Sequence, residues 1–112
     1  MPNYNSELNQ IFSALSDPTR RAVLARLSQG PAPVTELAKP FNMALPSFTQ
    51  HMGVLEKSGL VRSQKKGRTR IYQLSPEPLK TAGSWIAEQQ QLWQRRLDQL
   101  DSFLANMKEK EQ

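Results

Sequence analysis

The 112-residue sequence contains no cysteine and only one histidine, His51. Without cysteine the chain forms no disulfide and has no thiolate to serve as a nucleophile or a metal ligand. A metal site with several histidine ligands from one chain is equally excluded, so we expect no cofactor and no metal. The sequence also lacks a glycine-rich phosphate loop and a close pair of carboxylates outside its polar tail. With no nucleophile and base to pair, we expect no enzymatic activity.

Long apolar runs are missing as well. No stretch approaches eighteen apolar residues, and the opening sequence MPNYNSELNQ lacks the basic start and apolar run of a signal peptide. We therefore expect a cytoplasmic protein. Hydrophobic residues make up 38% of the sequence, which leaves little spare apolar content for one domain. A core built partly across a subunit interface would suit this composition.

Positive charge is distributed unevenly along the chain. Residues 1–75 contain ten lysines and arginines against four acidic residues, whereas residues 76–112 contain five against six. A local excess of basic residues raises both the affinity for phosphate groups and the rate of association with them. The asymmetry favours a polyanion-binding body followed by a segment with another role. A basic surface that only increases solubility is the alternative.

The first helical patterns precede a candidate helix-turn-helix. Apolar residues at i, i+3, i+4 and i+7 predict a helix over residues 4–16. In SDPTRRAVLARLSQG, Asp17 is suited to capping a second helix and Pro18 to its first position, while Gly30 is suited to ending it. This segment begins the predicted core, residues 17–75.

Two shorter helices follow, with a break between them. We expect Thr35 to cap the first, and Pro40 to end or bend it. Gly59 stands where a left-handed residue closes the second helix. Two helices of this size joined by a tight turn form a helix-turn-helix. The buried stripe of the second helix is predicted to consist of Leu45, Phe48, Met52 and Leu55.

The opposite face of this second helix carries small polar side chains. Glutamine pairs bidentately with adenine, and hydroxyl groups reach bases or phosphates. We therefore predict that Ser47, Thr49 and Gln50 contact DNA, although an ordinary solvated helix face is the alternative. For His51 two interpretations stay open: a contact with a phosphate or base, or a structural hydrogen bond inside the turn.

After Gly59, the apolar spacing changes from helical to alternating. Two strands, at about residues 61–64 and 68–74, are predicted to flank the connection Lys65-Lys66-Gly67. A helix-turn-helix followed by a basic hairpin is the order of a winged helix. The hairpin could be a charged edge that discourages strand aggregation. Its uncompensated charge favours contact with phosphates or the minor groove, through Lys65, Lys66, Arg68 and Arg70.

The last segment has a heptad-like apolar spacing and predicts a helix over residues 79–108, roughly 45 Å long. A helix this long cannot bury its apolar side against so small a body, so we expect a homodimer. Trp85 and Trp93 could instead line a small-molecule pocket. The predicted dimer interface contains Leu8, Ile11, Leu79, Ile86, Trp93, Leu97, Leu100 and Leu104.

These segments together resemble the ArsR/SmtB-type winged-helix repressors of bacteria. The resemblance lies in FSALSDPTRRAVLARLSQGP, VTELAKPFNMALPSFTQHMGVLEKSGLV and RSQKKGRTRIYQL, from about Ile11 to Leu74. The tail WIAEQQQLWQRRLDQLDSFL is similar to a branch without a metal site and with a long last helix. Metal-sensing members carry a cysteine pair near the helix-turn-helix or Asp and His ligands on the last helix, and this chain has neither. It also has Gly53 where relatives often carry a basic residue.

The resemblance implies a mainly α fold with a small β-hairpin: a winged helix-turn-helix with an elongated C-terminal dimerisation helix. It also implies a sequence-specific regulator that binds a near-palindromic double-stranded DNA operator as a dimer. Repression by blocking promoter access is the expected outcome, with activation as the alternative. A rival function is a winged-helix protein–protein interaction module without specific DNA recognition. RNA binding is a weaker alternative, because no aromatic platform for bases is visible.

Overall fold

The computed structural model describes residues 3–110, with side chains from Ser6 onward. Contacts group the chain into two units that divide between Ala82 and Gly83. The predicted single domain extends to residues 1, 2, 111 and 112, which lie outside the described residues. The elements are α1 (Asn3–Leu15), α2 (Pro18–Leu27), β1 (Ala32–Pro33), α3 (Val34–Ala38), α4 (Leu45–Lys57), β2 (Val61–Lys66), β3 (Thr69–Leu74) and α5 (Pro76–Lys110). The predicted fold class is thereby confirmed.

The start of α2 follows from local chemistry. The Asp17 carboxylate accepts a hydrogen bond from the Arg20 backbone N–H at 3.1 Å, which satisfies one of the amides that a helix leaves unpaired at its start. Pro18 occupies the first turn, where no amide proton is required. Past the other end, Gly30 has φ of +143°. The predicted cap, first residue and stop of α2 are confirmed.

The core of the first unit is organised around α4. Phe48, Met52 and Leu55 are completely buried, as the apolar spacing predicts. Leu45 is 57% exposed, so its assignment to this stripe is wrong. It is the first residue of the helix. The buried core also includes Leu8, Ile11, Ala14, Val23, Leu24, Leu27, Ala32, Leu37, Leu60, Val61, Tyr72 and Ala82.

Helix α3 starts earlier than predicted. Pro33 is its N-cap residue and makes no side-chain capping bond, while Thr35 lies inside the first turn. The prediction that Thr35 caps this helix is therefore wrong. An extended Pro33, with φ of −74° and ψ of 156°, leads directly from β1 into the helix. The chain thus enters α3 from a strand and not from a free turn.

The sheet has three antiparallel strands in the order β1–β3–β2, one more than the predicted hairpin. In β1, Ala32 pairs with Tyr72 and Pro33 with Ile71. Strand β2 extends two residues further than predicted and β3 begins one residue later, so the two are joined by Gly67 and Arg68 instead of Lys65-Lys66-Gly67. Gly67 has φ of +62° and Arg68 is not at positive φ, a combination that suits a tight type II′ hairpin turn.

The second unit, from Gly83, contains only helix α5 within the described range. Every side chain described from residue 83 to residue 110 is exposed. The seam predicted from the heptad-like spacing is helical throughout, since α5 ends at Lys110. This unit therefore has no hydrophobic core of its own within one chain.

Candidate nucleic-acid interface

The outward face of α4 is polar and rigidly supported. Ser47, Thr49 and Gln50 are exposed, while Phe48 and Met52 on the same helix are fully buried. The buried anchors fix the rotation of the helix about its axis, so the three polar side chains lie on its solvent side. They share that side with Gly53 and with Val54, which is 37% exposed. The arrangement places donors and acceptors where a groove of DNA can reach them.

His51 lies at the border of this face and is more buried than Ser47, Thr49 and Gln50. Its side chain is 23% exposed. Its Nδ1 atom lies 2.9 Å from a terminal nitrogen of Arg20, and 3.7 Å from a carboxylate oxygen of Asp17. The structural interpretation of His51 thus has direct support at Nδ1. The interpretation as a DNA contact is untested and depends on the other ring nitrogen.

Arg20 joins three parts of the first unit through one guanidinium group. Its Nε donates to the Ala14 carbonyl at 2.8 Å, and one terminal nitrogen donates to the Ser13 carbonyl at 3.1 Å. These carbonyls belong to the last turn of α1, where a helix has no partners of its own for them. The other terminal nitrogen is the one that faces His51 on α4. This role of Arg20 was not predicted from the sequence.

Asp17 completes the cluster. Burial raises the pKa of its carboxyl group, but hydrogen bonds from the backbone N–H groups of Arg20 and Thr19 and nearby positive charge, including that of Arg20, lower it by more. The net result is a pKa below the ordinary value for aspartate. Asp17 is therefore ionised at neutral pH and balances part of the positive charge beside α4.

The basic side chains of the wing, β2 and β3 with their turn, point in different directions. Lys65 pairs with Arg70 across the strands, on the side that also carries the buried Tyr72. Lys66 pairs with Thr69 on the opposite side, because successive residues of a strand alternate. Arg68 stands in the turn itself. The four predicted contacts are thus all exposed but do not form one flat patch.

Arg70 differs from the other cations of the wing because it is already bonded. Its guanidinium donates to the Ser63 hydroxyl at 2.8 Å, and that hydroxyl donates to the Glu56 carboxylate of α4 at 2.9 Å. This chain of hydrogen bonds ties the wing to α4. Within the described part of the chain, the Arg68 side chain makes no such bond. Neither Ser63 nor Glu56 was predicted from the sequence to belong to the site.

The predicted dimer residues fall into two groups. Leu8 is only 6% exposed and Ile11 not at all. They belong to the core of the first unit, so they offer little surface to a partner, and their assignment to the interface stays a prediction. The apolar residues predicted on α5 are instead between 37% and 66% exposed: Leu79, Ile86, Trp93, Leu97, Leu100 and Leu104.

Two further features bear on the candidate chemistry. In the range 3–110, no three His, Cys, Asp or Glu side chains gather in a way that could hold a metal ion. Over the same residues, no helix combines the length and apolarity that crossing a bilayer requires.

Comparison with known proteins agrees with the architecture. The family profile described as a helix-turn-helix domain matches residues 15–64. The transcriptional repressor SdpR of Bacillus subtilis is 32% identical over 79 residues, which cover 70% of this chain and 88% of SdpR. The regulator Rv2034 of Mycobacterium tuberculosis is 40% identical over 79 residues, covering 70% of this chain and 73% of Rv2034.

A solved structure connects the chain to a named family. The crystal structure of an ArsR family transcriptional regulator is 57% identical, with a TM-score of 0.79, and the match covers 84% of this chain and 97% of the other. The chain belongs to the ArsR family. It is a DNA-binding transcriptional regulator with the winged helix-turn-helix fold of that family. The ArsR family is a family of transcriptional regulators, and the relatives named here are regulators.

Proposed function

We propose that this ArsR family member is a dimeric repressor that binds a near-palindromic DNA operator and blocks access to a promoter. The observation that carries the proposal is the exposed face of α4, with Ser47, Thr49 and Gln50 held outward by a fully buried opposite side. Such a helix fits the major groove, where side chains reach base edges. SdpR, named a transcriptional repressor, supports repression as the outcome.

In this proposal, α4 and the wing perform different tasks. Gln50 contacts a base edge, with Ser47 and Thr49 beside it, and these contacts carry the sequence preference. Arg68, at the tip of the wing, contacts the phosphate backbone and anchors the protein on any sequence. Lys65, Lys66 and Arg70 add to the same electrostatic attraction. The first 82 residues supply this surface with a formal charge of +6.

The dimer is proposed to form through the apolar side of α5. Trp93 is 66% exposed and Leu100 is 50% exposed, although large apolar side chains gain roughly 1.5–3 kcal/mol each from burial. Their seven-residue spacing is that of a helix that pairs with another helix. A second copy of the chain presents the same stripe. We infer that the dimer places its two α4 helices in successive major grooves, which are about 34 Å apart.

The proposed regulator needs neither a metal nor a catalytic step. The sequence has no cysteine and one histidine, and that histidine is already bonded at Nδ1. A closed first shell of nitrogen and sulfur ligands therefore has no source within the chain. We place the protein in the cytoplasm, where bacterial DNA lies. DNA affinity should not change on addition of chelator, zinc or nickel.

Selection of bound fragments from the source genome tests the proposal. Purified protein is incubated with fragmented genomic DNA, and the retained fragments are sequenced. We expect enrichment of one near-palindromic motif whose half-sites are centred about one helical turn apart. Retention of fragments without any shared motif would contradict sequence-specific binding. A shared motif with a single, unrepeated half-site would contradict binding as a symmetric dimer.

A further inference from the structure

The hydrogen bond between Arg20 and His51 fixes the protonation of the histidine ring. A guanidinium group can donate hydrogen bonds but cannot accept them. The ring nitrogen that it faces at 2.9 Å, Nδ1, must therefore supply a lone pair. Neutral imidazole carries one proton, so that proton lies on Nε2. His51 thus has a defined N–H donor at its second nitrogen.

This Nε2 donor is available to a ligand. Within residues 3–110 it makes no hydrogen bond to the protein. Over the same range, no buried side-chain nitrogen or oxygen lacks a hydrogen-bond partner. An Nε2 atom without a partner must therefore reach solvent. His51 follows the exposed Gln50 on α4, so this donor lies at the border of the face already proposed to meet DNA.

We propose that Arg20 is a positioning residue for DNA binding, which holds His51 so that its Nε2–H donates to a DNA phosphate. The proposal rests on the proposed function of α4. A phosphate is favoured over a base because His51 is partly buried at the border of the face, whereas Ser47 and Gln50 are exposed on it. Contacts with phosphates fix the orientation of a protein on the duplex without carrying sequence information.

The groups around Arg20 also stabilise its positive charge in its position beside His51. Two carbonyls at the end of α1 accept from the Arg20 guanidinium, and the Asp17 carboxylate, whose pKa is lowered in part by the charge of Arg20, balances that charge. The negative end of a helix dipole and a carboxylate both stabilise positive charge. The Arg20 side chain is therefore held in place independently of DNA, and it can orient the ring before binding.

Nitrogen NMR tests the ring state without DNA. His51 is the only histidine, so protein labelled with nitrogen-15 histidine gives one pair of ring nitrogen signals. At mildly alkaline pH, we expect Nε2 to be protonated and Nδ1 to carry the lone pair in the wild type. Arg20→Gln should shift the Nδ1 signal, since its hydrogen-bond donor is lost. A proton on Nδ1 in the wild type would overturn the proposal.

A matched pair of amide variants tests the contact with DNA. His51→Gln keeps an N–H donor near the position of Nε2, whereas the shorter His51→Asn can place its carbonyl near the position of Nδ1 but has no donor that reaches the position of Nε2. We expect His51→Gln to bind DNA close to the wild-type affinity. His51→Asn should lose roughly three- to tenfold, the effect of one hydrogen bond, on both the selected operator and a random-sequence duplex. Equal losses in the two variants, or no loss in either, would overturn the proposal.

A double-mutant cycle tests whether Arg20 acts through His51. Arg20→Lys keeps the positive charge but cannot reach two carbonyls and the ring together. We expect it to weaken DNA binding, with no further loss when it is combined with His51→Asn. Additive losses would show that Arg20 acts independently and would contradict its positioning role.

Separate control measurements distinguish a variant that does not fold from a failure of the proposed function. Thermal unfolding of each variant shows whether it is folded. If Arg20→Lys does not fold, the Asn and Gln variants still decide the contact and the wild-type NMR spectrum still decides the ring state. If wild-type protein fails to bind any duplex, the proposed function fails, while the NMR spectrum separately decides whether Arg20 fixes the ring.

Discussion

The residues up to Ala82 and the residues from Gly83 onward differ in where their apolar side chains lie. Every buried core residue belongs to the first region, whereas no described side chain from 83 to 110 is buried. The formal charge is +6 up to residue 82 and −1 beyond it. The first region thus carries its own core and a basic surface. The second carries a nearly neutral helix whose apolar side is suited to pairing with another helix.

This difference separates two sources of stability. The first region folds around side chains such as Phe48 and Met52, which have no exposed surface. An isolated helix in water gains little without packing of its apolar side. The helix from Gly83 onward is therefore expected to depend on a second copy, and hence on protein concentration. Variants in the first region should therefore lose folding stability, whereas variants in the second should lose dimerisation.

The largest expected effect comes from the second region. Replacing Trp93 and Leu100 by alanine should remove roughly 2–5 kcal/mol per buried site from the dimer. Sedimentation equilibrium at micromolar concentration should show a dimer for the wild type and a monomer or unfolded chain for the double variant. Phe48→Ala is the matched control in the first region, and should cost about 3–5 kcal/mol by emptying a fully buried site. A wild type that is entirely monomeric would contradict the proposed dimer.

A smaller effect is expected at the cap of α2 in the first region. Asp17→Ala should lower the free energy of unfolding by about 0.5–2 kcal/mol, as measured by urea denaturation at fixed protein concentration. Asp17→Asn keeps a good capping side chain but removes the charge, and serves as the control.

The pH dependence at Asp17 has a definite sign. Its folded-state pKa is lowered, so its charge stabilises the folded state above the ordinary carboxyl pKa of about 3.9. That contribution is lost as the pH falls through the lowered value. The stability difference between the wild type and Asp17→Asn should therefore shrink in acid. A difference that grows as the pH falls would contradict this assignment.

The smallest stability change is expected at Gly53 on the exposed side of α4. A Cβ atom added there would meet no other atom within 4 Å. Gly53→Ala should therefore stabilise the protein by about 0.5–1 kcal/mol, the usual cost of an interior helical glycine. Gly53→Lys should also bind DNA more tightly, and steepen the dependence of affinity on salt by about one unit, if it adds a phosphate contact. A lysine variant with the salt dependence of Gly53→Ala would exclude that contact.

The parts of the fold that were predicted from sequence depend on local signals. Asp17 followed by Pro18 defines the start of α2 through a capping bond within four residues. The spacing of Phe48, Met52 and Leu55 defines the buried side of α4. Gly59 has φ of +83°, a conformation that disfavours other residues after a helix. Each signal lies within one or two helical turns of sequence. The local structure that it predicts therefore does not depend on a distant element.

The parts that were missed depend on distant partners. Strand β1 is two residues long and contains Pro33, so it shows no alternation, and only its pairing with β3 reveals it. The wing turn was placed too early because strand ends depend on cross-strand pairing. The role of Arg20 was missed because its contact with His51 spans 31 positions of sequence. The same holds for the Ser63 hydroxyl, which bridges residues seven positions away on either side.

The candidate DNA contacts also divide into those that local sequence predicts and those that depend on distant partners. Ser47, Thr49 and Gln50 could be predicted because the apolar stripe of α4 determines which face is left outward. The wing cations could be predicted as a group from composition. Only the structure distinguishes Arg70, which is bonded to Ser63, from Arg68, which is not. Ile11 was predicted at the dimer interface although its side chain packs inside its own chain, because an amphipathic pattern does not say whether its partner lies in the same chain.

The central claim is that α4 recognises sequence while the wing anchors the protein, and binding to operator and random duplexes across a salt series tests it most directly. Gln50→Ala should lose about 1–3 kcal/mol of binding free energy on the operator and much less on the random duplex. Arg68→Ala should weaken binding to both duplexes and reduce the salt dependence by about one unit. A wild type without preference for the operator, or equal losses of the two variants on both duplexes, would contradict the account.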